Sequence, residues 1–287
     1  MAKKVKITCD STSDLSPELL EKYGIKVCPL CVTMDDEAFR DGIDATPDDI
    51  YAFFEKTGRL AKSTATNIAD YADFFNENLE EDTELIHFTI SSEMSTTYRN
   101  ACLAAEEVGN VYPVDTRNLS TGSGLLVLKA CEMAQSGMPA TEIVEEINKL
   151  TRRVDASFVI DSLTYLHKGG RCSALSALGA NLLKLKPCIE VVDGSMGVGK
   201  KYRGKFELTL NDYVADRLAN IDDLDLSRVF VTHAGVDMDT VNSVAEAVKA
   251  AAPFKEVLIT RAGCTISAHC GRNTLGVLFI RKSEVTK

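Results

Sequence analysis

The chain has 287 residues, a formal net charge of −10, 45% hydrophobic residues and 26% charged residues. Such a chain can bury a large core; its acidity argues against nucleic acid as the main partner. No apolar run reaches membrane-spanning length, which argues against stable membrane insertion. The start M-A-K-K-V-K-I is too short and too charged for a signal peptide, so a cytoplasmic protein is expected. The nine cysteines fit a reducing compartment. Cys28 and Cys31 have nominal C-x-x-C spacing, but they sit in an apolar strand-like run rather than at the helix N-terminus that a redox pair needs.

Residues 5–9 read as a strand, followed by D-S-T-S-D-L at 10–15. Ser16 and Pro17 open a helix as N-cap and first residue, and Gly24 closes it. Residues 25–33 read as a second strand, where Pro29 demands an edge or an irregularity because it lacks an N–H. Asp10 and Asp14 have no histidine or third carboxylate nearby, so turn and cap roles are expected of them. Arg40, amid acids at 39–44, reads as an ion-paired turn residue. Thr46, Pro47, Asp48 and Asp49 start a helix running to about residue 58. K-S-T-A-T-N at 62–67 then leads into a further helix; capping by Thr66 or Asn67 leaves Ser63 and Thr64 unexplained.

Residues 85–98 organise the chain. A short apolar strand breaks into five hydroxyls between Ser91 and Thr97, and a helical pattern starts at residue 94 or 95. One hydroxyl suffices to cap a helix, so the remainder suit an oxygen ligand held by hydrogen bonds near the positive helix end. A strand at 111–115, a glycine-rich turn carrying Gly122 and Gly124, a helix to about 137 and another over 139–153 complete an alternation that predicts a parallel sheet.

In the second half, a strand near 157–162 leaves through a basic double-glycine turn at 163–171, followed by an amphipathic helix over 174–183. A hairpin turns at Asp193 and Gly194. G-S-M-G-V-G-K-K at 194–201 nearly matches a P-loop, but Lys201 replaces the Mg²⁺-binding hydroxyl and no helix follows, so ATP binding there is rejected. Strands at 228–233 and 256–260 enclose a helix, and a polar loop carrying His269 precedes the last strand at 277–280. Of the four histidines, His87 reads as a strand residue and His167 as exposed, while His233 and His269 sit at loop edges, where functional residues concentrate. No metal-ligand spacing stands out.

Five ordered motifs now stand together: D-S-T-S-D-L at 10–15, I-S-S-x-M-S-x-T-Y at 90–98, L-x-K-G-G-R at 166–171, K-x-K-P at 184–187 and I-S-A-H-x-G at 266–271. Across residues 5–281 they closely resemble the DegV family of bacterial fatty-acid-binding proteins. The resemblance implies two α/β domains, an N-terminal parallel-sheet domain (1–155) and a C-terminal domain (156–287), with a long-chain fatty acid between them. It implies a carboxylate held by Ser63, with Thr64 adjacent, by Ser95 and by His269. It also implies presentation of the acid to a separate ATP-dependent fatty acid kinase, with Arg203 on the surface that meets it. The chain departs from the family pattern at S-T-A-T (63–66), at Thr96 in place of glycine and at H-C-G-R-N (269–273).

The residues themselves favour a binder that is not an enzyme. Serines and one histidine without an orienting acid suit a carboxylate clamp, to which Ser92 and a bidentate Arg272 are candidate additions. The alternative is a hydrolase or acyltransferase with Ser95 as nucleophile and His269 as base, and a third reading is a relative whose pocket serves protein interaction. No cofactor beyond the fatty acid is implied. Lys168 and Arg171, with Lys200, Lys201, Arg203 and Lys205, form a basic surface in an acidic chain; a phosphoryl-transfer partner would favour it.

Overall fold

The structure, a computed structural model, describes residues 3–172 and 185–286. The helix expected over 174–183 and Lys184 of the K-x-K-P motif lie outside the described residues. In the first half the chain runs β1 (Lys4–Asp10), α1 (Pro17–Tyr23), β2 (Lys26–Cys28), β3 (Cys31–Met34), β4 (Glu37–Arg40), α2 (Pro47–Thr57) and β5 (Lys62–Thr64). It continues through α3 (Ile68–Asn78), β6 (Thr83–Thr89), α4 (Thr97–Val108), β7 (Val111–Asp115), α5 (Ser120–Gln135) and α6 (Ala140–Leu150). The second half comprises β8 (Val154–Ile160), α7 (Thr164–Gly169), β9 (Leu185–Val192), β10 (Ser195–Arg203), α8 (Phe206–Arg217) and β11 (Leu224–Ala234). After these come α9 (Met238–Ala251), β12 (Glu256–Arg261), α10 (Cys264–Cys270) and β13 (Thr274–Arg281).

The alternation in the first half gives the expected parallel sheet, in the order β2-β1-β6-β7. The predicted strand over 25–33 is two strands in two sheets. Without an N–H at Pro29 the chain leaves the parallel sheet, and β3 pairs antiparallel with β4 and β5, setting Ser63 opposite Val32. In the second half, β10-β9-β8-β13-β11-β12 form a mixed sheet in which β11 and β12 are parallel and the other pairs antiparallel. Both helix starts read from the sequence hold: Ser16 caps α1, and Thr46 with Asp49 forms a capping box on α2.

Helix α5 lies between the sheets, and Leu125, Leu126, Val127 and Leu128 are all buried. A helix apolar on all sides needs such a place. Its glycines lie within the helix rather than in a turn before it. A Cβ on Gly124 would stand 2.8 Å from Leu15 Cδ2 and 3.0 Å from the Ser13 carbonyl, so close approach fixes that glycine. The apolar core is continuous through α5, from Ile7, Ile86 and Phe88 of the first sheet to Ile160, Phe230 and Leu278 of the second.

Four further expectations shift. Helix α4 starts at Thr97, so residues 91–96 are a loop. Residues 164–169, read as a turn, are helix α7, closed by Gly170 at φ 70°. His269 rides on α10 rather than in a loop, because that helix takes its N-terminal hydrogen-bond partners from distant Asp14 and Asp41 and shows no local capping signal. Asp10 does not cap: its buried carboxylate accepts from Tyr71 Oη at 2.6 Å and from the Ile90 N–H at 3.2 Å, beside fully buried His87. The near-P-loop segment is the hairpin turn and β10, with Asp193 and Gly194 both at positive φ.

Candidate functional site

A cavity of about 670 Å³ opens between the halves. Leu30, Ile90, Leu119, Leu166, Met196 and Ile266 supply an apolar wall, drawn from both halves. Ser63 and Thr64 reach it from β5, Ser92 and Ser95 from the loop after β6, and His269 from the last turn of α10. Ser63, His269 and Arg171 also line a second cavity of about 680 Å³, so they form the partition between the two.

Ser63 Oγ lies 2.7 Å from His269 Nε2. His269 Nδ1 is buried without a hydrogen-bond partner among the described residues. An orphaned acceptor costs less than an orphaned N–H donor, which favours the tautomer protonated at Nε2. Nε2–H then donates to Ser63 Oγ, and the Ser63 hydroxyl proton remains available to a ligand oxygen. Burial, with Arg171 adding to it, lowers the His269 pKa to about 4, so the ring is neutral at physiological pH. An oxygen ligand at this position would meet hydrogen-bond donors rather than an imidazolium charge.

The loop before α4 divides its hydroxyls by role. Ser91 is buried and donates to the Gly194 carbonyl at 2.7 Å, joining this loop to the β9–β10 hairpin. Ser92 spends its proton on Asp115. Ser95 accepts the Thr97 N–H at 3.3 Å, a bond that does not use its own proton. Ser95 therefore keeps its proton for the cavity, which neighbouring Thr96 also lines.

Arg272 is not brought to the cavity. After Gly271, at φ 74°, its guanidinium lies over the Tyr51 ring at 4.5 Å and pairs with Glu55 at 3.4 Å. Arg171, read from the sequence as a partner residue, stands in the cavity wall and donates to the Gly169 carbonyl at 2.9 Å. Arg203 is exposed at the end of β10, outside the cavity wall, and neighbouring Lys200 is paired with Asp216. Asn100 was missed by sequence reasoning. It lines the cavity from the first turn of α4 and donates to the Thr66 carbonyl, a position signalled only by its spacing from the serine loop.

A nucleophile–base pair is not assembled: His269 Nε2 engages Ser63 rather than Ser95, and no carboxylate among the described residues orients Nδ1. Among the described residues, no helix is long and apolar enough to cross a membrane, and no group of three or more His, Cys, Asp or Glu is placed to hold a metal ion.

Residues 4–282 match the model of a family described as "Uncharacterised protein, DegV family". A DegV domain-containing protein of Caldanaerobacter subterraneus subsp. tengcongensis is 29% identical over 282 residues, covering 97% of this chain and 99% of its relative. Among solved structures, a fatty-acid-binding DegV family protein from Thermus thermophilus superposes with a TM-score of 0.90 at 28% identity, covering 97% of this chain and 99% of the other. A stearic acid-binding protein from Eubacterium ventriosum gives 0.84 at 26% identity, with 97% and 98% covered. With its two α/β halves and a cavity between them, the chain belongs to the DegV family.

Proposed function

We propose that this protein binds a long-chain fatty acid, with the carboxylate at Ser63, Thr64, Ser95 and His269 and the acyl chain against Leu30, Ile90, Leu119 and Leu166. The observation that carries the reading is the Ser63–His269 pair set, with further hydroxyls, beside the apolar wall of one cavity. Likeness to solved fatty-acid-binding proteins supports it. An acyl chain gains roughly 0.8 kcal/mol per buried CH₂, so a long chain supplies affinity while the hydroxyls supply orientation. In this reading residues 1–155 and 156–287 are the two domains that enclose the ligand, and the protein carries the acid without transforming it.

The finer proposal is presentation of the acid to a separate kinase that makes the acyl phosphate. The basic residues Lys62, Lys168 and Arg171, beside the second cavity, support it, because a carboxylate meeting a γ-phosphate needs positive charge nearby. Native mass spectrometry of the purified protein tests the binding: a lipid-sized mass, weakened in Ser63→Ala and His269→Ala, is expected. Absence of bound lipid together with failure to take up oleate would refute it.

A further inference from the structure

Helix α10 is placed from a distance. Gly263, Cys264 and Thr265 begin it, and their three N–H groups have no intrahelical partners. Asp41, buried at the end of β4, accepts the Cys264 N–H on Oδ1 at 2.7 Å and the Thr265 N–H on Oδ2 at 3.0 Å. Asp14 accepts the Gly263 N–H at 2.8 Å. Asp41 is itself fixed: its N–H donates to the Leu30 carbonyl, and Ser11 Oγ donates to Oδ2 at 3.2 Å. Behind the helix, Cys264 and Ala268 pack on Val32, Ala45 and Ile50 of the first half.

We propose that Asp41 is a positioning residue for the ligand site: by taking two N–H groups of α10 it sets the helix that presents Ile266 and His269 to the cavity. The inference rests on the fatty-acid-binding reading, and its logic is a count of donors and acceptors. Two N–H groups require two acceptor oxygens on one side chain. Asparagine offers one, and its NH₂ would face the other N–H. Asp41→Asn therefore preserves shape and volume while unseating the helix start. The bond from Ser63 to His269 holds the far end, so a shift at residue 264 is read out at the imidazole.

The test compares Asp41→Asn with Asp237→Ala, which removes a cap of α9 remote from the cavity. Oleate dissociation constants and the NMR titration of His269, assigned with His269→Ala, are measured on each. Asp237→Ala is expected to lower thermal stability alone. Asp41→Asn is expected to weaken oleate about 10- to 100-fold and to raise the His269 pKa from about 4 toward the ordinary value of about 6.5. Should Asp41→Asn not fold, Ser11→Ala removes the hydroxyl that donates to Oδ2 and accepts the Leu30 N–H, with both shifts expected in the same direction and the His269 titration reporting the effect on α10. Unchanged oleate affinity and unchanged His269 titration in the folded variant would overturn the proposal. If the wild-type protein takes up no oleate, the fatty-acid reading fails, and the His269 titration still decides the role of Asp41.

Discussion

Gly169 and Gly170 stand side by side at the end of α7 and are expected to fail in opposite ways when changed to alanine. A Cβ on Gly169 would lie 2.7 Å from His269 Nδ1, closer than carbon and nitrogen tolerate, so the imidazole must move. Its other nitrogen is tied to Ser63, so moving the ring costs that hydrogen bond and the alignment of the Ser63 hydroxyl. Loss of one hydrogen bond to a charged ligand costs roughly 1.5–3 kcal/mol, about 10- to 150-fold in affinity. Stability is expected to change little, because the lost Ser63–His269 bond is offset by the preference for alanine over glycine within a helix, up to ~1 kcal/mol. Gly170 reverses the pattern: nothing lies within 4 Å of its added Cβ, but its φ of 70° strains any L side chain. Gly170→Ala is expected to cost about 1 kcal/mol of stability and leave affinity alone. Isothermal titration with oleate, paired with thermal melts, separates the two. Wild-type affinity in Gly169→Ala, or a lowered melting temperature with affinity kept, would refute the reasoning.

Burial pushes the Asp14 carboxyl up to about 8, so the folded protein keeps a proton that the unfolded chain releases near pH ~4. The stability linked to that proton is full below about pH 4 and is lost as pH rises through about 8, by at most ~1.4 kcal/mol per unit. Urea unfolding of Asp14→Asn, which keeps an acceptor for Gly263, should lose this slope; a variant-to-wild-type difference constant across pH 5–8 counts against it. Asp155 is buried between Arg217 and Arg281, which keep Glu190 and Asp223 as further partners, so Asp155→Ala should destabilise by about 1.5–3 kcal/mol through lost charge-assisted hydrogen bonds, and a loss under ~1 kcal/mol in denaturant unfolding would contradict that. ATP with Mg²⁺ should not bind the isolated protein at residues 194–201, a strand with no helix N-terminus; saturable binding by calorimetry would overturn this. With a cognate kinase, Arg203→Ala should leave oleate binding intact and lower acyl-phosphate formation most at low salt, and a wild-type rate there would make Arg203 only a solvated charge.

How much of this was legible in the sequence follows the range of the interactions involved. Local signals read correctly: Ser16 with Gly24, Thr46 with Asp49, and the Asp193–Gly194 turn each depend on residues within a few positions. The parallel sheet followed from alternation, since short apolar strands separated by helices have few other ways to bury themselves. What failed depended on distant partners. Helix α10 could not be read because its N–H acceptors, Asp14 and Asp41, lie more than two hundred residues earlier. Gly122 and Gly124 resembled a turn because their reason, close approach to Ala156 and to Leu15, exists only after packing. Arg272 looked suited to a carboxylate until Tyr51 and Glu55 proved to hold it.

These misreadings bear on how the site handles charge. From sequence, Arg272 is a candidate to add a bidentate ion pair to a clamp of hydroxyls and His269. The fold instead leaves His269 neutral, draws Arg272 away to Glu55, and keeps Arg171 at a solvent-exposed lip, where water and salt screen it. An anionic head group would then be held mainly by hydroxyl donors from Ser63 and Ser95, which cost little to leave solvated when the cavity is empty. A buried cation would bind the carboxylate more strongly, but it would pay its own desolvation in every ligand-free molecule. In the fatty-acid-binding reading, a site that takes up and gives up an acid is better served by the weaker, uncharged arrangement, in which the apolar wall would set affinity and Ser63 would orient the acid.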